Sequence, residues 1–286
     1  MKIEELKQAF KDYAYKFDMD DEEIALKFYH SNRVMDICLD IAKHYNFDEN
    51  DYNVAGVIGL LHDYARFTQW TTYKTYNDLK SFDHADEGAK LLFDNNEIVN
   101  FYTKEEDYNI IHDAIKYHNK LSLPEGLESR DLKMCKLIRD ADKIDIIYNI
   151  TIDKSLLPED DGKFSDAIVN NFYEHKCADY KDIKCDNDNI LTTLMFMYDI
   201  NFPYSFKYIK DHKLIENMYD PSVGACCHYK TSIEYMDLIK KFVDFYIKSK
   251  LGEDIKYGNS IIIKKEKMSD LASDCVKIPY KERVNN

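Results

Sequence analysis

Residues 54–66 read VAGVIGLLHDYAR. Eight apolar or glycine positions run without a charge and end on His62 and Asp63. A segment apolar on every side is expected to be a short buried helix at the centre of a fold, since no face of it suits water. The segments around it are helical in period. Residues 22–46 place Ile24, Phe28, Val34, Ile37, Cys38, Ile41 and Tyr45 mostly three or four apart. Asp83 stands where an N-cap opens a helix through Ala85, Gly88, Ala89, Leu91 and Leu92. Thr103 to Glu106 fits a capping box, opening a helix to about His118. Another helix is expected over about 130–150, with Leu132, Cys135, Leu137, Ile138, Ala141, Ile144 and Ile147 inward. Further helices are read near 164–176, 189–201, 204–219 and 229–251, and an amphipathic one at the N-terminus. The fold class is all-α.

The composition fits this reading. The chain has 286 residues, 45% hydrophobic and 32% charged, with few Gly (8) and Pro (5) but 23 Tyr and 15 Phe to fill a core. Its formal charge of -14 disfavours long nucleic acids and anionic membranes, whose binding rests on Lys and Arg. No stretch approaches the length of a membrane span, and the N-terminus has no signal-type apolar core, so a cytoplasmic location is expected. The seven Cys include no C-x-x-C, which suggests reduced thiols, the vicinal Cys226 and Cys227 among them.

Six residues suggest chemistry: His30, His62, Asp63, His84, His118 and Asp142. Each falls on a predicted helix or at its end, as in a bundle whose helices each deliver ligands to one centre. Imidazole and carboxylate together suit Mn, Fe, Co, Ni, Zn or Mg. A carboxylate can bridge two cations, so Asp63 is the candidate bridge of a two-metal site, in which a small phosphorylated substrate could be clamped and water activated. His44, His112, His175, His212 and His228 lack such context and read as ordinary surface or core residues.

Five segments, beginning at His30, Ser31, Asn32 and Arg33 and continuing as GLLHDYAR, DHADEGAKLL, AIKYHNK and LIRDADKIDII, resemble the HD-domain superfamily with its pattern H…HD…H…H…D. The resemblance covers roughly residues 25–150. It implies an HD core over 1–150; residues 151–286 are read from their helical patterns as a C-terminal extension of the same globular unit. It implies one divalent metal held by His30, His62, Asp63 and Asp142. A second would be held by His84 and His118, with Asp63 shared. Asp140 is an alternative to Asp142, but the A-D-K context of the family favours Asp142. Two residues along a helix is about 200° of rotation, so both cannot face one metal. Arg66 follows the pair as in HDxAR members that act on nucleotides. It is a candidate phosphate contact and catalytic residue beside Asp63, with a salt-bridged surface base as the other reading. Lys143 is a further candidate for both roles and Arg33 for the phosphate contact alone, and Asp145 could orient a neighbour.

The implied activity is that of a metal-dependent phosphohydrolase on a small, nucleotide-like substrate, close in motif context to small bacterial HD hydrolases. The G-Y-P extension of cyclic dinucleotide phosphodiesterases and the HDxxED of alarmone hydrolases are absent. The same ligand pattern occurs in mixed-valent di-iron oxygenases, and a non-catalytic metal- or nucleotide-binding sensor is a third reading. Residues 64–82, 119–128 and 150–190 are expected to shape the pocket, with Trp70 or Tyr73 available to stack on a base.

Overall fold

The apolar run forms the end of a helix, α3 (Glu49–Leu61), in a computed structural model that describes residues 2–152, 165–218, 233–253, 256–257 and 261–262. Asp48 caps α3 by accepting from the Asp51 N–H at 2.8 Å. Every residue from Val54 to Leu61 is buried. Its close neighbour is α2 (Glu22–His44), capped by Asp21. Gly59 allows the two backbones to meet, because a Cβ there would lie 2.7 Å from Met35 Cα.

Around this pair lie α1 (Ile3–Ala14), α4 (Arg66–Tyr73), α5 (His84–Phe93), α6 (Tyr108–Tyr117) and α7 (Ser129–Ile152). Aromatic rings fasten α1 to the segment that follows the His-Asp pair. Tyr13 stacks on Tyr64 at 4.0 Å and donates its hydroxyl to the Tyr64 carbonyl, while Phe10 packs on Phe28 and Phe67. Asp83 caps α5 as expected, accepting from the N–H groups of Ala85 and Asp86.

The chain divides into two compact units, Met1–Asp145 and Ile146–Asn286, the division falling within α7. The second unit contains α8 (Asp166–Tyr173), α9 (Asp186–Met195), α10 (Pro203–Asp211), α11 (Leu214–Met218) and α12 (Ile233–Leu251). Phe172, Leu194, Met195, Phe206 and Phe245 are buried there. The buried Asp188 carboxylate gathers the N–H groups of Ser165, Lys184 and Cys185. Ile261–Ile262 pairs antiparallel with Lys256–Tyr257. The all-α class therefore holds. No helix among the described residues is long and apolar enough to cross a membrane.

Three boundaries differ from expectation. The helix near 204–219 breaks into α10 and α11 because Lys213 takes a left-handed backbone, φ 53°. The helix near 189–201 ends at Met195 and tightens into a 3-10 turn over Phe196–Asp199. The capping box at Thr103 does not open a helix: a 3-10 turn over Glu105–Asp107 precedes α6, and no side chain caps either. The reason is Asp107, whose carboxylate turns inward to accept from Tyr102 Oη (2.7 Å) and Asn50 Nδ2 (3.0 Å) and pairs with Arg130 (2.8 Å). Cys226, Cys227, His228 and Cys275 lie outside the described residues, whereas Cys38, Cys135, Cys177 and Cys185 are free thiols.

The Asp107 carboxyl is fully buried, and burial alone would raise its pKa. Tyr102, Asn50 and Arg130 outweigh burial and hold it below the usual range. A depressed folded-state pKa gives stability that is present above the unfolded value and lost as pH falls through the folded one. Asp107→Ala is expected to lower unfolding free energy by about 1–3 kcal/mol at neutral pH, since it leaves buried donors unmatched. The deficit should shrink in acid. Urea unfolding at pH 7 and pH 3 measures both.

Candidate metal centre

The bundle gathers the six sequence-predicted ligands in one place. α2 carries His30, and α3 ends at Leu61 with His62 as its C-cap and Asp63 next to it. α5 begins at His84, His118 follows the last residue of α6, and α7 carries Asp142. The four histidines and Asp63 are buried, and Asp142 is half-buried.

Two groups form. In the first, His30 Nε2 and His62 Nε2 lie 3.1 Å apart. Asp142 Oδ1 stands 3.3 and 3.5 Å from them, and Asp63 Oδ2 stands 3.4 and 3.7 Å away. In the second, His84 Nε2 and His118 Nε2 are 3.1 Å apart, with Asp63 Oδ1 at 3.5 and 3.8 Å. Each oxygen of Asp63 thus faces a different histidine pair. Asp142, not Asp140, supplies the carboxylate of the first group.

The far side of each ring decides what Nε2 offers. His62 Nδ1 lies 2.9 Å from the Gly59 carbonyl and His118 Nδ1 2.6 Å from the Ile115 carbonyl. A carbonyl only accepts, so both Nδ1 atoms carry the proton and, in the neutral ring, both Nε2 atoms present lone pairs. His30 Nδ1 donates to Asp145 Oδ2 and His84 Nδ1 to Asp78 Oδ2, each at 2.6 Å. Carboxylate or carbonyl partners behind a ring are the usual support of a metal-binding histidine. Four lone pairs and two carboxylates facing one another repel unless positive charge lies between them. The donor set fits divalent cations.

The electrostatics agree. Burial tends to raise the Asp63 pKa, but Lys27, His62, His30 and Arg66 hold it well below the usual carboxylate range. Burial opposes ionisation of Asp142 in the same way, and His30 and His62 overcome it. Burial, together with His84 and His62, holds His118 well below the ordinary imidazole value. Burial and Arg66 lower His84. The second group is therefore neutral imidazole against ionised carboxylate. At His30, burial and Lys27 press the pKa down, but Asp142, Asp145 and Asp63 outweigh them and lift it to about 10. Those three carboxylates demand a positive charge at that ring, whether a proton or a metal.

The basic residues take distinct places. Arg66 Nε is buried, lies 3.5 Å from Asp63 Oδ1 and has no hydrogen-bond partner. Its Nη1 donates to Gln69, the Tyr76 carbonyl and Asp78, and its Nη2 lies 3.3 Å from His84 Nε2. Arg33 makes a two-pronged pair with Asp145 at 2.7 and 2.9 Å, behind His30. Lys143 is buried in α7. Trp70 donates its indole N–H to Asp21, and its ring meets Tyr76 at 5.1 Å and the Lys74 ammonium at 5.6 Å. Tyr73 is exposed and packs edge-on to Phe82.

Two residues at the centre escaped the sequence reading. Lys27 donates to Asp63 Oδ2 at 2.9 Å and lies over the Tyr76 ring. Its signal was available, since it precedes His30 by three positions on α2 and shares that face. Asp78 sits in a 3-10 turn (Asp78–Lys80), where no periodicity marks it.

Residues 28–147 match the sequence model of the HD domain family. No curated protein and no solved structure matches the chain. The ligand order and the matched span coincide, so residues 28–147 form an HD domain.

Proposed function

We propose that this protein is a phosphohydrolase that uses two divalent cations to cleave a phosphoester or phosphoanhydride of a small, nucleotide-like substrate. HD domains are generally those of metal-dependent hydrolases. The observation that carries the reading is the shared carboxylate, with one Asp63 oxygen against His30 and His62 and the other against His84 and His118. Bound there, two cations supply Lewis acidity, lowering the pKa of water and offsetting charge on a phosphoryl group.

The chain's own residues do the rest. Asp145, Asp78 and two backbone carbonyls fix the histidine tautomers. Lys27 and Arg66 flank Asp63, one beside each oxygen, at 2.9 and 3.5 Å. Two fixed cations at the ligand cluster favour an anionic substrate. The Lys27 ammonium, with donors beyond the one given to Asp63, is suited to a phosphoryl oxygen.

Purified protein assayed with Mn, Mg, Ni, Co and Fe against a panel of nucleotides and phosphoesters should release phosphate or a nucleotide with at least one metal. A coupled mixed-valent iron signal together with no phosphate release would overturn the reading. Lys27→Met is expected to raise KM or lower kcat/KM by about 10- to 100-fold, the worth of one charge-assisted hydrogen bond. Its metal content, by elemental analysis, should stay at the wild-type level.

A further inference from the structure

The two metal groups are supported in the same way. Each has one histidine held by a carbonyl of its own helix, His62 by Gly59 and His118 by Ile115. Each has a second histidine held by an aspartate that also grips an arginine. Asp145 joins His30 to Arg33, and Asp78 joins His84 to Arg66.

The two aspartates differ in setting. Asp145 is almost fully buried, within a long helix. Asp78 has a side chain 26% exposed, on a short surface turn beside the exposed Leu79. Four donors converge on it. Oδ2 takes His84 Nδ1 at 2.6 Å and Asn119 Nδ2 at 3.4 Å, and Oδ1 takes Arg66 Nη1 at 3.0 Å and Gln69 Nε2 at 2.9 Å. Arg66 is the base whose buried Nε is left over and faces Asp63.

We propose that Asp78 is a positioning residue that sets the affinity of the second cation, at His84, His118 and Asp63, and aims Arg66 with the same carboxylate. The second-site ligand His84 and the orientation of Arg66 then both depend on one carboxylate, carried by the turn Asp78–Lys80. This rests on the two-cation reading. The chemistry is specific to a carboxylate. Both of its oxygens accept, so it serves His84 and Arg66 at once. An asparagine must turn its amide N–H groups toward one of them. Arg66 and Gln69 only donate at this carboxylate and offer an amide N–H no acceptor, so the amide turns toward His84. Facing His84, its N–H groups move the ring proton to Nε2 and remove the lone pair a metal needs.

The test is Mn2+ titrated into chelator-stripped, full-length protein, followed by calorimetry and by electron paramagnetic resonance of bound Mn. Wild type should take up two Mn2+ with a spin-coupled signal. Asp78→Asn should keep one at wild-type affinity and weaken the other by about 10- to 100-fold, with an uncoupled signal. Asp78→Glu, which keeps the carboxylate, should recover part of the second affinity. In a His118→Ala background, adding Asp78→Asn should leave the remaining Mn2+ unchanged. The proposal fails if Asp78→Asn binds both ions as wild type does, or if both sites weaken equally, the mark of a general structural effect. Wild type binding a single Mn2+ overturns the two-cation reading and this inference with it. Two ions in wild type and two unweakened in Asp78→Asn overturn this inference alone.

Discussion

Asp63→Asn is expected to remove hydrolytic activity and the metal-dependent part of the protein's stability together. Asparagine keeps the size of the side chain but has one oxygen instead of two. Whichever way the amide turns, its N–H groups face one pair of Nε2 atoms, His30 with His62 or His84 with His118, that now meet a carboxylate oxygen 3.4–3.8 Å away. That pair loses its anionic ligand. Lys27 and Arg66 also lose the charge between them, in a place where Asp63 itself is only 3% exposed. Loss of a single aligned group at a developing charge commonly costs about 10²- to 10³-fold in rate. Here a ligand shared by both groups is lost, so kcat/KM should fall by at least about 10³-fold. Ligand linkage supplies an independent measurement. Saturating Mn2+ should raise the melting temperature of the wild type, because it binds only the folded chain, and should do little for Asp63→Asn. An Asp63→Asn protein with wild-type metal content and activity within tenfold of wild type overturns the shared-carboxylate arrangement.

The candidate ligand set was legible in the sequence because it joins two independent signals. His30, His62, His84, His118 and Asp142 are chemistry-bearing types set on helical, apolar segments, and burial of those segments brings them inward. The uniformly apolar 54–61 run identified the central helix for the same reason. Choosing Asp142 over Asp140 needed the family context; Asp142 Oδ1 lies 3.3 Å from His30 Nε2. Beyond the ligands, periodicity is silent. It reports that a face is covered and not which donor meets which acceptor, so the pairing of Arg33 with Asp145 and of Trp70 with Asp21 could not be foreseen. Asp78 has no helical neighbours to mark it. The Thr103 box failed because a local cap competes with tertiary contacts, and the buried Asp107 with its three partners prevailed. Lys27 was the avoidable omission, three residues before a predicted ligand.

Gly59→Ala tests whether the centre depends on the close approach of α2 and α3. In an ordinary helix interior, Gly to Ala stabilises by about 0.5–1 kcal/mol, because alanine loses less backbone entropy on folding. At Gly59 the new methyl would lie 2.7 Å from Met35 Cα, 3.0 Å from Cys38 Sγ and 3.1 Å from Met35 N. Two of those three atoms are backbone and cannot swing aside, so α2 has to move off α3. Overpacking of this kind costs about 1–3 kcal/mol and outweighs the propensity gain. A net loss of about 1–2 kcal/mol corresponds to a melting temperature lower by several degrees. The same displacement reaches the metal centre, since α2 carries His30 and Lys27 while His62 and Asp63 directly follow α3. The Gly59 carbonyl itself accepts from His62. Mn2+ affinity should therefore fall with stability. Gly88→Ala provides the contrast on α5. There the nearest atom to a new Cβ is Ala65 N at 3.7 Å, an ordinary contact, so propensity alone acts and stability should rise slightly. Thermal melts of both variants with and without Mn2+ decide the matter. If Gly59→Ala melts at or above the wild type, as Gly88→Ala should, α2 and α3 are not packed backbone to backbone and the metal centre does not rest on that contact.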